Sequence, residues 1–181
     1  MPNENCKLVV FLTVLCVAAV DRVTAGSCAD AVQGHEYLAL GGGKCYILFK
    51  AQANWNDAMA ACSGIFHGHL AYVEDKTTLF AIRGWLNGVY SPIPEQTAWW
   101  IGLLQVDRSV EPAGGWAWAN ADHSVNHKST PTNTPWRAGE PNNEGGHEDC
   151  GDLDDVHNVF GVNDSKCDRP WPFICETSVS A

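Results

Sequence analysis

The stretch Gly139-Glu-Pro-Asn-Asn-Glu-Gly-Gly-His-Glu-Asp-Cys150 gathers four carboxylates, two amides, three glycines and a proline beside a cysteine. Like charges on so bendable a backbone repel one another unless something positive stands among them. The donors are oxygens. Glu140, Asn142 and Glu148 supply them here, and Asn163 and Asp164 add two more a little downstream. With no thiolate and no set of imidazoles, this chemistry suits Ca²⁺, which takes about six to eight oxygens at ~2.3–2.6 Å in tolerant geometry. Mg²⁺ prefers fewer protein ligands and more water. The D-x-[DN]-x-[DN]-G spacing of an EF-hand is absent. Pro141 lies between two donors, and a cis bond before it would turn Glu140 and Asn142 toward one point. On composition alone the competing reading is a solvated acidic loop.

Outward from this loop the whole chain is acidic. Its 181 residues carry a formal net charge of −10, which argues against nucleic acid or an anionic membrane surface as partner. The length suffices for one domain with its own core, and 45% hydrophobic residues with eight Trp mark a folded chain. Of the 19 acidic residues that follow position 25, nine lie between Glu140 and Asp168, so the charge is concentrated around the quoted stretch.

At the other end, Lys7 precedes an uncharged run from Leu8 to Val20, and Val23 and Ala25 put small residues at −3 and −1 before Gly26. Residues 1–25 therefore read as a secretory signal peptide, too short to span a bilayer, and residues 26–181 as the domain. The competing reading is an uncleaved anchor. Later apolar runs are all too short to span. Secretion implies an oxidising, extracellular setting. Cys6 and Cys16 leave with the signal, and Cys28, Cys45, Cys62, Cys150, Cys167 and Cys175 remain. An even count predicts disulfides, but spacing alone does not choose among the pairings. No paired C-x-x-C pattern supports zinc.

The intervening segments predict mixed structure. Lys44-Cys-Tyr-Ile-Leu-Phe-Lys50 reads as a strand after Gly41-Gly-Gly43. Asn54 offers an N-cap, with Asp57 three residues on, for a helix that Gly64 would end. Leu79, Phe80, Ile82 and Trp85 fall at helical spacing in a second helix, from about Asp75 to Leu86 and ending at Gly88. Trp99-Trp-Ile-Gly-Leu103 reads as a buried strand and Trp171-Pro-Phe-Ile-Cys-Glu176 as a closing one. Between about 104 and 161 Gly, Pro, Asn, Asp, Ser and Thr dominate, a texture that in a compact domain is usually functional. The aromatics Trp55, Trp100, Trp116 and Trp118 are expected in the core.

Taken in order, these pieces resemble a C-type lectin domain in its long form, over nearly the whole span from Cys28 to Glu176. Cys45 and Cys62 bracket Trp55 and Ala58. Trp100-Ile-Gly-Leu103 matches the family's core strand. Gly115-Trp-Ala-Trp118, Trp136-x-x-Gly-Glu-Pro-Asn142, Glu148-Asp-Cys150, Asn163-Asp164, Cys167 and Phe173-Ile-Cys175 follow. The resemblance implies an α+β fold, with two helices flanking antiparallel sheets and a long Ca²⁺-binding loop region. It implies the disulfides Cys28–Cys45, Cys62–Cys175 and Cys150–Cys167. It also implies that Glu140, Asn142, Glu148, Asn163 and Asp164 bind the ion. Glu140 with Asn142, and Glu148 with Asn163, would each serve one of two vicinal sugar hydroxyls, carboxylate accepting and amide donating.

The Glu-Pro-Asn form is the family's mannose type, whereas galactose-type members carry Gln-Pro-Asp. The resemblance thus implies a secreted, Ca²⁺-dependent lectin for mannose, fucose or N-acetylglucosamine on microbial or other cell surfaces, acting in innate immunity. With no heptads and no collagen repeat, any homo-oligomer that provides avidity must form through the domain surface. Asp107 and Glu111, spaced D-x-x-x-E, with Asp149, match a second metal site.

Several positions depart from the family pattern. Val162 replaces the usual Trp before Asn163-Asp164, Asn143 stands where an acid is common, and about three extra residues separate Cys150 from Asn163. Val162 and the longer loop leave open the alternative of a protein-binding module on the same fold, and Asn143 departs from the pattern at the second metal site. Trp55-Asn-Asp57 has the displaced tripeptide but reads as a helix start. Asn163-Asp164-Ser165 is a formal glycosylation sequon, expected unmodified because a glycan there would block the site. His147 lies in the loop but is not counted as a ligand. An enzyme is not expected: H-E-x-x-H and G-x-S-x-G are absent, no cysteine is left free, and metal-bound carboxylates are poor general acids for a glycosidase.

Overall fold

The uninterrupted apolar run around Trp99–Leu103 requires a strand buried on both faces. That strand, β4 (Ala98–Gln105), lies inside the sheet. The computed structural model describes residues 27–32, 34–94, 97–122, 124–125 and 133–179, so the predicted signal peptide lies outside the described residues. In chain order the elements are α1 (Cys28–Val32), β1 (Tyr37–Leu40), β2 (Lys44–Ala53), α2 (Trp55–Phe66), β3 (His69–Leu70) and α3 (Lys76–Tyr90). After β4 come β5 (Trp116–Trp118), β6 (Cys150–Val156), β7 (Val159–Ser165) and β8 (Trp171–Ser178). The sheet runs β1-β2-β8-β4-β6-β7, with β3 paired to β8 and β5 to β4. This is the expected α+β fold. Two features were not foreseen. A short helical turn, α1, precedes the first hairpin, and β4 meets β8 in parallel at Trp100 and Phe173.

Alternation along the central strands divides the core between the two faces. Tyr46, Leu48, Trp99, Ile101, Leu103 and Ile174 pack on one side with Leu79, Ile82 and Leu86 of α3. Ile47, Trp100, Phe173 and Cys175 pack on the other with Trp55, Ala58, Met59 and Cys62 of α2. The indole N–H of Trp55 donates to Ile101 O at 2.8 Å, and that of Trp100 to Ala53 O at 2.9 Å, so both rings bury without orphaning their polar ends. The four expected core tryptophans, Trp55, Trp100, Trp116 and Trp118, are all buried. Trp55-Asn-Asp57 is the start of α2, not a site.

Both helices start where their caps predict. Asn54 Oδ1 accepts from Asp57 N at 2.9 Å, and Asp75 Oδ1 from Thr78 N at 2.8 Å. Both outrun their expected stops. The helix α2 passes Gly64 and ends at Phe66, where His67 turns left-handed (φ 51°) and donates to Cys62 O and Ser63 O. The helix α3 passes Gly88 to Tyr90, and Ser91 (φ 44°) closes it ahead of Pro92. A glycine inside a helix costs only about 1 kcal/mol, less than the packing of the adjoining turn contributes.

Three disulfides join Cys28–Cys45, Cys62–Cys175 and Cys150–Cys167, the pairing the resemblance implied. One buried carboxylate also joins distant strands. Glu176 of β8, 3% exposed, accepts from Tyr72 N at 2.9 Å and pairs with Lys44 Nζ at 3.1 Å. Burial alone would lower the Lys44 pKa, but Glu176 and Glu74 together raise it. Glu176→Ala removes the acceptor of a buried backbone N–H and the nearest partner of Lys44. We expect a loss of roughly 2–4 kcal/mol in chemical denaturation. An unchanged midpoint would mean that water replaces the carboxylate at no cost.

Candidate functional site

The acidic loop sits at one end of the β6–β7 hairpin. Its long connection from β5 leads through Pro135 and Trp136, which the backbone pins to β7: Val162 N donates to Pro135 O at 3.1 Å, and Arg137 N to Val162 O at 2.8 Å. Gly161 permits this crossing. A Cβ there would meet Arg137 Cα and Cβ at 3.0 Å. Val162 itself is fully buried in the α3-side core, so the position usually held by Trp is filled by a smaller packed residue. The extra residues after Cys150 are absorbed by the hairpin. Its strands stay in register from Cys150↔Ser165 to Val156↔Val159, and His157 and Asn158, both left-handed, make the turn. Asn163 and Asp164 keep their places opposite Asp152 and Gly151.

The structure brings the five expected ion ligands together in part. The Glu140–Pro141 bond is cis. Asp164, 1% exposed, accepts from Asn142 N at 3.0 Å and from Asn143 N at 2.7 Å, strapping the loop to β7. Asn143 Oδ1 accepts from Glu148 N at 3.0 Å, and Glu148 Oε2 from Glu144 N at 2.7 Å, which folds the glycine-rich turn back on itself. Asn142 leaves its side chain exposed. Burial pushes the Glu140 carboxyl above the usual range; Arg137 opposes this and Asp164 adds to it. Burial likewise raises Glu148, with Asp164 again adding repulsion. Asp164 thus repels both Glu140 and Glu148 in a partly dry place. Glu140 Oε2 is buried and has no hydrogen-bond partner.

The chemistry of this donor set fits a hard divalent cation: all oxygen, one carboxylate repelling two others, and one buried oxygen left over. The side chains are not closed around a point. Among the described residues, no three acidic, His or Cys side chains by themselves form a group that could hold a metal ion. Two of the five expected donors are bonded to an arginine. Arg137 Nη2 donates to Glu140 Oε1 at 3.0 Å and to Asn163 Oδ1 at 2.9 Å, while its Nε reaches Asp154 Oδ1 at 2.9 Å.

Arg137 was not among the residues singled out from the sequence. Neither were Asp152, whose Oδ2 accepts from Asn163 Nδ2 at 3.3 Å, and Asp154, which holds Arg137. Asp152 is fully buried. Burial and then Asp154 push its carboxyl well above the ordinary range. The available signal was a lone basic residue three positions before Glu140 in an otherwise acidic segment.

The residues of the second expected site, Asp107, Glu111 and Asp149, are bonded elsewhere or exposed. Asp107 spends its carboxylate on its own turn, accepting from Ser109 N at 2.9 Å and Ser109 Oγ at 2.6 Å. Asp149 Oδ2 pairs with Arg108 at 2.8 Å. Glu111 is exposed. His147 is exposed in the ligand loop.

Comparison with known proteins agrees with this architecture. The sequence model described as Lectin C-type domain matches residues 51–177. The lactose-binding lectin l-2 of Anguilla japonica is 28% identical over 176 residues, covering 93% of this chain and 94% of its own. A C-type lectin mannose-binding isoform of Oxyuranus scutellatus is 29% identical over 136 residues, covering 74% of this chain and 77% of its own. The carbohydrate-recognition domain of the mouse scavenger receptor C-type lectin superposes with a TM-score of 0.58 at 27% identity, over 81% of this chain and 96% of that one.

Proposed function

Since the chain belongs to the C-type lectin domain family, whose activity is carbohydrate binding rather than catalysis, we propose that it is a Ca²⁺-dependent lectin of mannose type. The observation that carries the reading is the crowding of the Glu140 and Glu148 carboxylates against Asp164, with Glu140 Oε2 buried and unpartnered. Glu140, Asn142, Glu148, Asn163 and Asp164 would hold the ion. When bound, the ion would neutralise the cluster and offer open coordination positions to two vicinal sugar hydroxyls. Glu140 and Glu148 would accept hydrogen bonds from the sugar hydroxyls, and the amide N–H groups of Asn142 and, once released from Asp164 O and Ser165 Oγ, of Asn163 would donate to them. The exposed Asn142 side chain supports an open rim there.

Relatives with mannose and with lactose in their names stand at nearly the same identity, so the sugar preference rests on the loop itself: Glu140 and Asn142 place acid and amide in the mannose-type order. Three formed disulfides support secretion after removal of residues 1–25, and microbial or host-cell glycans are the proposed targets, in innate defence. Among the described residues, no helix is long and apolar enough to cross a membrane. A homo-oligomer formed through the domain surface would supply avidity. The comparisons favour sugar binding over the protein-binding alternative.

The experiment is binding of residues 26–181 to immobilised mannan in Ca²⁺ and then in chelator, with free mannose and galactose as competitors. Loss in chelator and competition by mannose are expected; binding that survives chelation would overturn the reading. Paired substitution of Glu140→Gln and Asn142→Asp exchanges acid and amide across the rim. We expect preference to shift from mannose toward galactose by roughly tenfold or more in competition assays. An unchanged preference order would move specificity away from residues 140 and 142.

A further inference from the structure

We propose that Arg137 is a tethered competitor for the cation: its guanidinium holds Glu140 and Asn163 when the ion is absent and must withdraw before they can close on it. This rests on the reading of Glu140, Asn142, Glu148, Asn163 and Asp164 as the ion site. The same Nη2 donates to Glu140 Oε1 at 3.0 Å and to Asn163 Oδ1 at 2.9 Å, so one group engages two of the five donors. The Asn163 amide is fixed in this sense, because its Nδ2 donates to Asp164 O at 2.8 Å and to Ser165 Oγ at 3.1 Å. Its Oδ1 is therefore preset as an oxygen donor, and Arg137 takes it.

A guanidinium and a divalent ion bonded to the same two oxygens would stand only about 4–5 Å apart, in a partly desolvated pocket where like charges repel strongly. One of them must yield. The Arg137 backbone cannot move far, since its N–H is bonded to Val162 O at 2.8 Å and Gly161 lies against its Cα. The guanidinium can move. Asp154 Oδ1, at 2.9 Å from Nε, keeps it bound when Nη2 lets go. Arg137 satisfies only one oxygen of Glu140; the other, Oε2, stays buried and unpartnered, so the arginine is an incomplete substitute for an ion. The ion-free fold is thus kept intact, and the site requires a higher Ca²⁺ concentration to fill.

The test measures Ca²⁺ affinity directly, by calorimetry on residues 26–181, for the parent protein, Arg137→Gln and Arg137→Lys. Thermal midpoints in chelator and in saturating Ca²⁺ accompany it. Arg137→Gln, which removes the charge, is expected to bind Ca²⁺ about tenfold more tightly or better. It should melt lower in chelator and show a larger upward shift on adding Ca²⁺. Arg137→Lys keeps the charge and should stay near the parent affinity, which guards against a general folding defect. Equal or weaker Ca²⁺ binding by Arg137→Gln would overturn the proposal and make Arg137 a support for the donors. Tighter binding by both variants would overturn the role of its charge. Absence of Ca²⁺ binding in all three proteins would sink the site reading itself, a result distinct from measurable but unchanged affinity. Binding by Arg137→Gln alone would support the proposal.

Discussion

Replacing Cys62 and Cys175 together by Ala is expected to remove roughly 4–5 kcal/mol of stability, the largest loss from any one cross-link in the domain. The bond joins α2 to β8 across 113 residues of sequence, whereas Cys28–Cys45 and Cys150–Cys167 each span 17. In the chain-entropy picture the shorter loops are worth about 3 kcal/mol each, so the ranking is a matter of logarithms and holds even if the absolute values shift. Packing adds to the difference. Both sulfurs lie in the fully buried cluster with Trp55, Met59, Trp100 and Phe173, and two alanines leave a void there. Against a typical total of about 5–15 kcal/mol, the double variant should be partly unfolded at body temperature. Urea denaturation followed by tryptophan fluorescence checks it, with Cys28→Ala/Cys45→Ala as comparison. A greater loss from the short hairpin bridge would overturn the loop-length argument.

The ordered chain of motifs made the fold readable, and two kinds of physical information in it account for that. Burial on both faces forces an unbroken apolar run at Trp99–Leu103, and no surface element would tolerate it. Caps at Asn54 and Asp75 have a short-range mechanism that survives without knowledge of the rest. Helix ends were less legible, because tertiary packing carried α2 past Gly64 and α3 past Gly88. The candidate site divides the same way. Residue types announced an oxygen-rich cation site, but its present state depends on distances no sequence states. Arg137 sits three residues before Glu140 in the chain, yet its partners Asp154 and Asn163 are 17 and 26 residues away. At the second expected site the same kind of information was missing: Arg108, between Asp107 and Glu111 in sequence, reaches to Asp149.

Asp164→Asn is expected to cost Ca²⁺ affinity about a hundredfold or more and to destabilise the ion-free domain by roughly 2–3 kcal/mol. The two effects have different origins. Both carboxylate oxygens of Asp164 accept backbone N–H groups, from Asn142 and Asn143, in a place only 1% exposed. An amide offers one acceptor and points two N–H donors at the other backbone N–H, so one charge-assisted bond is lost and the second is weakened, together ~3–4 kcal/mol. Removing the charge has an opposing benefit, since Asp164 raises the pKa of both Glu140 and Glu148 by repulsion. Those two groups are partly solvated, so the relief is worth only about 1 kcal/mol. The hydrogen bonds therefore win, and the loop from Glu140 to Asn143 should loosen from β7. Ion affinity falls further because a carboxylate donor is gone and Asn142 is no longer held in place. The control is Asp149→Asn. It loses only an ion pair with Arg108, whose side chain is 67% exposed, and stands outside the five donors, so mannan binding should be retained. Calorimetric Ca²⁺ titration and hydrogen exchange at Asn142 and Asn143 read the two effects separately. Retained affinity in Asp164→Asn, or an equal loss in Asp149→Asn, would place the ion elsewhere in the loop.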